Sequence, residues 1–592
     1  HAGHARLDRG LILGMDFTNR NTLWASVLAE TLVRVGVTEV VICPGSRSTP
    51  LTIALASHPR MTAIPILDER SGAFWALGAA RRSHRPVAVV CTSGTAGANF
   101  FPAVIEARES GVPLLLLTAD RPPELRDCAA GQAIDQLKLF GIYPVWQAEL
   151  ALPEPRLDLL AYLRQTLAQA AQRAIATPGP VHLNVPLRDP LPPVPEPAVA
   201  DALAQLRANW HDQEFFGHLQ PVRRPITFSR LPWQEFWQGA RQTERGLIVA
   251  GPAQPADPAA YCAAVGRLAR SLGWPVLAEG LSPLRNFGAL NQHLVAHYDL
   301  MLRNPHQREQ LRPTMVLRLG GLPISKTLRL WLMETDAPQW VLDPGDRNLD
   351  PLHGRTRSIQ GAIELWETPE PDLPPSDYLQ TWLAGDRAME ITVKQALAEQ
   401  PQRLESKIAW LLPQTLPDRT PIFICNSMPV RDVEYFWGIN NREIQPFFNR
   451  GANGIDGSLS TAIGLAQHHQ PAVMLTGDLA LLHDTNGFLA RRHFQGSLTI
   501  LLINNNGGGI FEMLPVSQFE PPFEEFFATP QSVNFASLCE SYGIEYRQIT
   551  QWQQFCDSLS QLPARGIRVL EFLCDRKRDV QWRQSFFRQL AV

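Results

Sequence analysis

The 592-residue chain reads as an α/β protein of three doubly wound parallel-sheet domains. Three observations carry that reading. Short apolar runs of strand length alternate with stripes of helical periodicity along the chain. Polar and glycine-rich clusters stand where strands end, so they gather on one rim of each sheet, where open α/β sheets bind ligands. Two proline-rich segments, 190–197 and 369–375, can continue neither a helix nor a central strand. They divide the chain into blocks 15–190, 200–368 and 376–592. Residues 1–14 lack the pattern of a signal peptide and read as a tag remnant or disordered extension.

In the first block, Leu23, Val27, Leu28, Leu32 and Val35 form one helical stripe, which Gly36 ends. A buried strand at 40–43 opens into Pro44-Gly45-Ser46-Arg47-Ser48. A second, 62–67, leads to Asp68-Glu69-Arg70 and an apolar helix. A third, 87–91, is followed by Thr92-Ser93-Gly94-Thr95 and another helix. The fourth, 114–117, runs into Asp120-Arg121-Pro122-Pro123. The middle block has strands near 247–250, 314–319 and 339–342, with fewer polar clusters at their ends. The third block has them near 422–425, 444–448, 472–476, 498–503 and 568–573. No clear sequence repeat joins the blocks.

Net charge is −3 and 19% of residues are charged, so no bulk field favours nucleic acid or an acidic membrane. Any arginine cluster is then a local device. The 8 cysteines are scattered and include no CxxC pair, which fits neither a zinc site nor a disulfide scaffold and suits a reducing cytoplasm. No apolar run approaches a membrane span.

Asp478 follows the strand at 472–476, and Asn504-Asn505-Asn506 follows the strand at 498–503. Asn505 lies 27 positions after Asp478 (505 − 478), about one strand–helix–strand unit. A carboxylate and an amide oxygen thereby meet at neighbouring strand ends. Both are hard oxygen donors suited to Mg²⁺, an ion usually shared with phosphates. Either half alone reads as a turn. Glu69, taken alone, reads as a first-turn acid compensating a helix dipole. The run from Asn449 to Gly457 is a Gly- and Asn-rich turn before a helix, able to cradle a diphosphate on backbone N–H groups. Arg47, Arg121, Arg431 and Arg450 recur at strand ends, and guanidinium forks bind carboxylates bidentately. Gly320 to Thr327 nearly matches a phosphate-binding loop. Ser325 replaces its second glycine, however, and Pro323 removes a needed N–H.

The Asp478–Asn505 pair resembles the signature of thiamine diphosphate (ThDP) enzymes. Further runs narrow the resemblance: Cys43 to Pro50, Asp68 to Ser71, Asp120 to Cys128, Ser427 to Asp432, Asn449 to Gly457 and Asn504 to Phe511. Together they resemble the MenD family of menaquinone and phylloquinone biosynthesis, from about residue 16 to the C-terminus and most weakly in the middle block. The resemblance implies a ThDP-dependent decarboxylase-like fold with pyrimidine, central and diphosphate domains. It implies a transferase that decarboxylates 2-oxoglutarate and joins the succinyl carbanion to isochorismate by a Stetter-like 1,4-addition, releasing CO₂. Mg²⁺, or Mn²⁺ in its place, would be held by Asp478, Asn505 and the Gly507 carbonyl. Glu69 would bond the cofactor's pyrimidine N1′. Ser427, Met428, Asn453, Gly454, Ile455, Gly477 and Leu479 would line the cofactor, with Ile455 wedging its two rings. Leu479 stands where the wider superfamily has glycine. Catalytic roles fall on Glu69, Gln132 and Arg47. The substrate side would comprise Ser46, Arg47, Arg121, Gln132, Lys326, Arg431, Arg450, Ile510 and Phe511. A homodimer or homotetramer with its site between subunits, in the cytoplasm, is implied, with neither nucleic acid nor membrane as partner. The rival is another ThDP-dependent 2-oxoacid enzyme of the acetolactate synthase type, which would carry FAD in the middle domain; the arginine set speaks against it.

Overall fold

A computed structural model of the chain describes residues 15–224, 229–366, 376–467 and 470–591. The expected extension at 1–14 and the second proline-rich joint, 369–375, lie outside the described residues. Three six-stranded sheets organise the molecule, and every strand pairing is parallel. The first contains β1 (Glu39–Ile42), β2 (Thr62–Pro65), β3 (Val87–Cys91), β4 (Leu114–Asp120), β5 (Trp146–Glu149) and β6 (Pro180–Pro186), in the order β2-β1-β3-β4-β6-β5. The second contains β7 (Gly246–Ala250), β8 (Val276–Ala278), β9 (Leu294–Val295), β10 (Met315–Leu319), β11 (Gln339–Asp343) and β12 (Thr356–Gln360). Read from β9, its order is β9-β8-β7-β10-β11-β12, one of the two common doubly wound arrangements. The third contains β13 (Pro421–Ile424), β14 (Gln445–Phe447), β15 (Ala472–Gly477), β16 (Ser497–Asn504), β17 (Glu545–Ile549) and β18 (Gly566–Leu573). Its order, β14-β13-β15-β16-β18-β17, repeats that of the first sheet.

Central strands are buried on both faces, as parallel sheets covered by helices require; β3 and β4 have no exposed residue. The proline-rich segment at 190–197 is pinned to the first helix. Asn19 Nδ2 donates to the Pro192 and Val194 carbonyls at 3.0 Å each, and Arg20 pairs with Glu196 at 2.6 Å. Beyond it, helices Ala200–Ala208 and Asp212–Phe216 return Leu203, Phe215 and Phe216 to the first sheet's core. The middle core begins with Trp233 and Phe236 of the helix Arg230–Ala240. Helix Asp377–Leu397 then bridges two cores. Tyr378 and Trp382 pack under the middle sheet, while Val393 and Leu397 pack under the third.

The first and third units share one continuous apolar cluster, joining Phe74, Trp75 and Phe100 to Leu459, Ile463 and Met474. Helices Glu69–Ser83 and Ser458–Ala466 cross at its centre. The crossing is so close that a Cβ at Gly78 would lie 2.0 Å from the Thr461 carbonyl oxygen. One at Gly464 would lie 2.0 Å from that of Trp75. The first and third sheets are thereby fixed to each other.

Candidate active site

β15 and β16 are neighbours with Gly477 opposite Ile503, so Asp478 stands beside the turn 504–507. The Asp478 carboxylate accepts from the Leu479 and Gly507 backbone N–H groups, at 2.8 Å each. Burial, against those two hydrogen bonds, pushes its pKa up to about 6. Asn505 donates through Nδ2 to Glu405 at 2.6 Å, and its Oδ1 is buried with no protein partner. Gly507 has φ +138°, and a Cβ there would lie 2.4 Å from the Ala528 carbonyl oxygen. Only glycine fits that place in the turn. A buried orphan amide oxygen beside a buried carboxylate calls for a cation, and the all-oxygen donor set fits Mg²⁺. A Cβ on Gly477 would meet nothing within 4 Å, so the approach to Asp478 is open on that side.

β13 ends in Cys425-Asn426-Ser427, and Asn426 ties the neighbouring loop together. Its Nδ2 donates to the Asn449 and Gly454 carbonyls at 2.7 and 2.6 Å, and its Oδ1 accepts from Arg450 at 2.7 Å. Ser427 holds φ 73° and ψ −130° at the N-cap of helix Met428–Phe436. Such backbone is costly for a residue with a Cβ and is kept where it is used. Arg431 donates back to the Ser427 carbonyl at 2.6 Å. Burial lowers the pKa of both Arg431 and Arg450, Glu279 partly restores that of Arg450, and Arg431 lowers it further. Two guanidiniums that repel each other in one half-buried place suit an anionic ligand. The turn 449–454 is also clamped from the first unit. Glu106, paired with Arg81 at 2.6 Å, accepts from the Gly451 and Ala452 N–H groups at 3.0 and 2.7 Å. Asn453 takes φ +61° and is exposed; Ile455 and Leu479 are half-buried.

On the rim of the first sheet, the ends of β1, β3 and β4 meet. Arg47 is buried; its Nη1 donates to the Leu187 carbonyl at 2.9 Å, and its Nε has no protein partner. Arg121 reaches Ser93, and burial together with Arg47 lowers its pKa. Gln132, at φ +58°, donates to the Ser93 carbonyl at 3.0 Å. Ser46 is exposed beside them, its carbonyl capping the next helix through Thr49. Gln136 supports the group, accepting from Gly94 N–H at 2.8 Å. Glu69 is the first residue of the helix Glu69–Ser83, which Asp68 caps; burial raises the Glu69 pKa. Lys326 is exposed at the first residue of helix Lys326–Thr335, while Ser325 caps that helix rather than forming part of a phosphate loop. Ile510 and Phe511 lie half-buried just beyond Gly507, with Phe511 edge-on to Phe527 at 5.9 Å.

The chain thus assembles three groups: Asp478 with Asn505 and Gly507, Ser427 with Arg431 and Arg450, and Arg47 with Arg121 and Gln132. Among the described residues, no hydrogen bond or ion pair joins Glu69 to Asp478 or Asn505. Its neighbours turn elsewhere, Arg70 donating to the His483 carbonyl and Asp68 accepting from Asn486.

Family models match all three units. Residues 24–139 match the thiamine pyrophosphate enzyme N-terminal TPP binding domain, 201–424 the middle domain of thiamine pyrophosphate, and 434–571 the C-terminal TPP binding domain. A 2-succinyl-5-enolpyruvyl-6-hydroxy-3-cyclohexene-1-carboxylate (SEPHCHC) synthase of Trichormus variabilis is 54% identical over 97% of this chain and 99% of its own length. One from Nostoc sp. is 55% identical over the same shares. The chain belongs to the SEPHCHC synthase (MenD) family. Synechococcus elongatus supplies a further relative of that name, 52% identical over 98% of both chains. The fold also matches an X-ray structure from Mycobacterium smegmatis assigned to the thiamin diphosphate-dependent enzymes, at TM-score 0.66 and 15% identity, covering 93% of this chain and 99% of that one.

Around this family's motifs, four supporting residues escape a reading of the sequence: Asn426, Glu405, Glu106 and Gln136. Each acts on partners distant in sequence, and no spacing rule points to them. Ser93 stands within a strand-end cluster, and its position there is the available signal.

Proposed function

We propose that this SEPHCHC synthase family member is a ThDP- and Mg²⁺-dependent transferase. It decarboxylates 2-oxoglutarate and adds the four-carbon remainder to isochorismate, with loss of CO₂. The observation that carries this reading is the 54% identity to a SEPHCHC synthase along 97% of the chain. Asp478, Asn505 Oδ1 and the Gly507 carbonyl would hold Mg²⁺. Ser427, Met428, Asn453, Gly454, Gly477 and Leu479 would line the diphosphate, with Ile455 against the rings. Bound there, ThDP supplies a carbanion at C2 of its thiazolium ring. Glu69 holds a proton at the pyrimidine N1′, a task that suits a carboxyl whose pKa burial has raised.

The substrates carry carboxylates, and the net charge of −3 supplies no bulk attraction for them. Guanidinium contacts take that role, each contributing about 1.5–3 kcal/mol as a charged hydrogen bond. Arg47, with Ser46, Arg121 and Gln132, takes isochorismate. Arg431 and Arg450, with Lys326, take 2-oxoglutarate, and Ile510 and Phe511 exclude water. Glu69 and the metal donors come together across a dimer. Among the described residues, no helix is long and apolar enough to cross a membrane. With its cysteines unpaired, we place the protein in the cytoplasm. The test is incubation with ThDP, Mg²⁺, 2-oxoglutarate and isochorismate, followed by mass analysis. The adduct of the two substrates less CO₂ is expected. Release of CO₂ with no product containing isochorismate carbon would overturn the acceptor assignment.

A further inference from the structure

The C-terminal helix, Arg576–Leu590, reaches the metal-side turn directly through Arg576 and indirectly, by way of Glu405, through Arg583. Arg576 donates to the Asn506 carbonyl at 2.8 Å. One helical stretch further on, Arg583 is fully enclosed. It binds both carboxylate oxygens of Asp432, at 2.8 and 3.0 Å, and stands 3.6 Å from Glu405 Oε2. Glu405 opens the helix Glu405–Thr415 and is itself buried, its backbone N–H bonded to Asp579 at 2.8 Å. Its other oxygen, Oε1, accepts from Asn505 Nδ2 at 2.6 Å.

That last contact has a chemical consequence. An ionised carboxylate only accepts hydrogen bonds, whereas a primary amide offers a donor end and an acceptor end. Facing Glu405, Asn505 must present its NH₂. Its Oδ1 is then turned away and left buried without a protein partner. We infer that Glu405, held by Arg583, is a positioning residue that sets the amide of Asn505 so that its oxygen, and not its nitrogen, is offered to the metal. The inference rests on the metal reading above. Outer-shell partners of this kind typically carry about 10- to 100-fold in metal affinity. The three carboxyl groups of Glu405, Asp432 and Asp579 share one guanidinium, so removing Glu405 leaves no buried cation unpaired.

The test uses the full chain with saturating ThDP and Mn²⁺ as the probe, its affinity read by electron paramagnetic resonance, with thermal unfolding of the metal-free protein beside it. Glu405→Ala is expected to weaken Mn²⁺ binding roughly 10- to 100-fold. Glu405→Gln, whose side-chain oxygen still accepts from Asn505, should stay within a few-fold of the parent. A second pair keeps the idea open to refutation if Glu405→Ala unfolds. Asn505→Asp sets two carboxylates face to face, and adding Glu405→Gln restores a donor between them. The double variant should therefore bind Mn²⁺ more tightly than Asn505→Asp alone. Unchanged affinity in Glu405→Ala would overturn the inference. So would additive losses in the double variant, or losses that only track a falling unfolding temperature. Absence of Mn²⁺ binding by the parent chain would instead overturn the metal reading itself.

Discussion

Glu69 and Arg47 sit on the same rim, yet their chemistry separates cleanly. Burial raises the Glu69 carboxyl, which is what a group holding a proton at pyrimidine N1′ needs. Glu69→Gln keeps the shape and loses the exchangeable proton, so turnover should fall about 10²- to 10⁴-fold. ThDP binding measured by calorimetry should remain, because the proposed diphosphate contacts belong to the other sheet. Near-normal turnover in that variant would remove Glu69 from its role. Arg47 leaves its Nε unpaired while Nη1 is tied to the Leu187 carbonyl and stands 3.8 Å from Asp189, so the guanidinium is held at Nη1 and keeps a donor at Nε. Arg47→Ala should raise KM for isochorismate roughly ten- to a hundredfold. It should leave CO₂ release from 2-oxoglutarate without acceptor comparatively intact. Equal damage to both half-reactions would reassign Arg47. Candidate residues such as these are legible because they interrupt apolar runs at strand ends. Asn426, which ties Arg450 to the turn 449–454, is not, since its partners lie 23 to 28 positions away in a loop with no periodicity.

Elements are legible to the degree that they are buried. The central strands β1, β3, β4, β13, β15 and β16 are apolar runs and stand out. β5, β12 and β17 lie at sheet edges, and their half-exposed or alternating residues resemble loops. β8 and β9 are three and two residues long, too short for any pattern. β6 is wholly buried but carries His182 and Asn184 inside and proline at both ends; Thr118 bonds both polar side chains, which only the folded neighbour reveals. The crossing of helices Glu69–Ser83 and Ser458–Ala466 depends on Gly78 and Gly464, which in sequence are only small residues in apolar stretches. A methyl at Gly464 would meet a backbone carbonyl, which cannot swing aside as a side chain can. Gly464→Ala should therefore destabilise the protein by about 1–3 kcal/mol as an overpacked core. Thermal unfolding checks this, and an unchanged midpoint would mean that the crossing yields at little cost.

At the scale of the whole molecule, the first and third sheets share one strand order and the middle sheet has another, and the candidate ligand-binding rims are those of the first and the third. Each rim holds half of the proposed machinery: Glu69 on one, Asp478 and Asn505 on the other. Within a chain their neighbours are tied to other groups, and the apolar Leu67 beside Glu69 is 65% exposed. A second copy of the chain would cover that surface and bring its own metal donors to Glu69. Mixing two inactive variants tests this arrangement. Asp478→Ala alone should lose tight ThDP binding by calorimetry, because it removes the carboxylate proposed to hold the metal that would bind the diphosphate. Glu69→Gln alone binds cofactor but does not turn over. In a hybrid dimer, one site combines both lesions, while the other joins the intact first unit of one chain to the intact third unit of its partner. Random reassembly makes half the dimers hybrid, with one good site of two, so activity should recover to about a quarter of the parent level. Sites built within single chains would leave every mixture inactive, and that result would sink the shared-site arrangement while leaving the assigned chemistry in place.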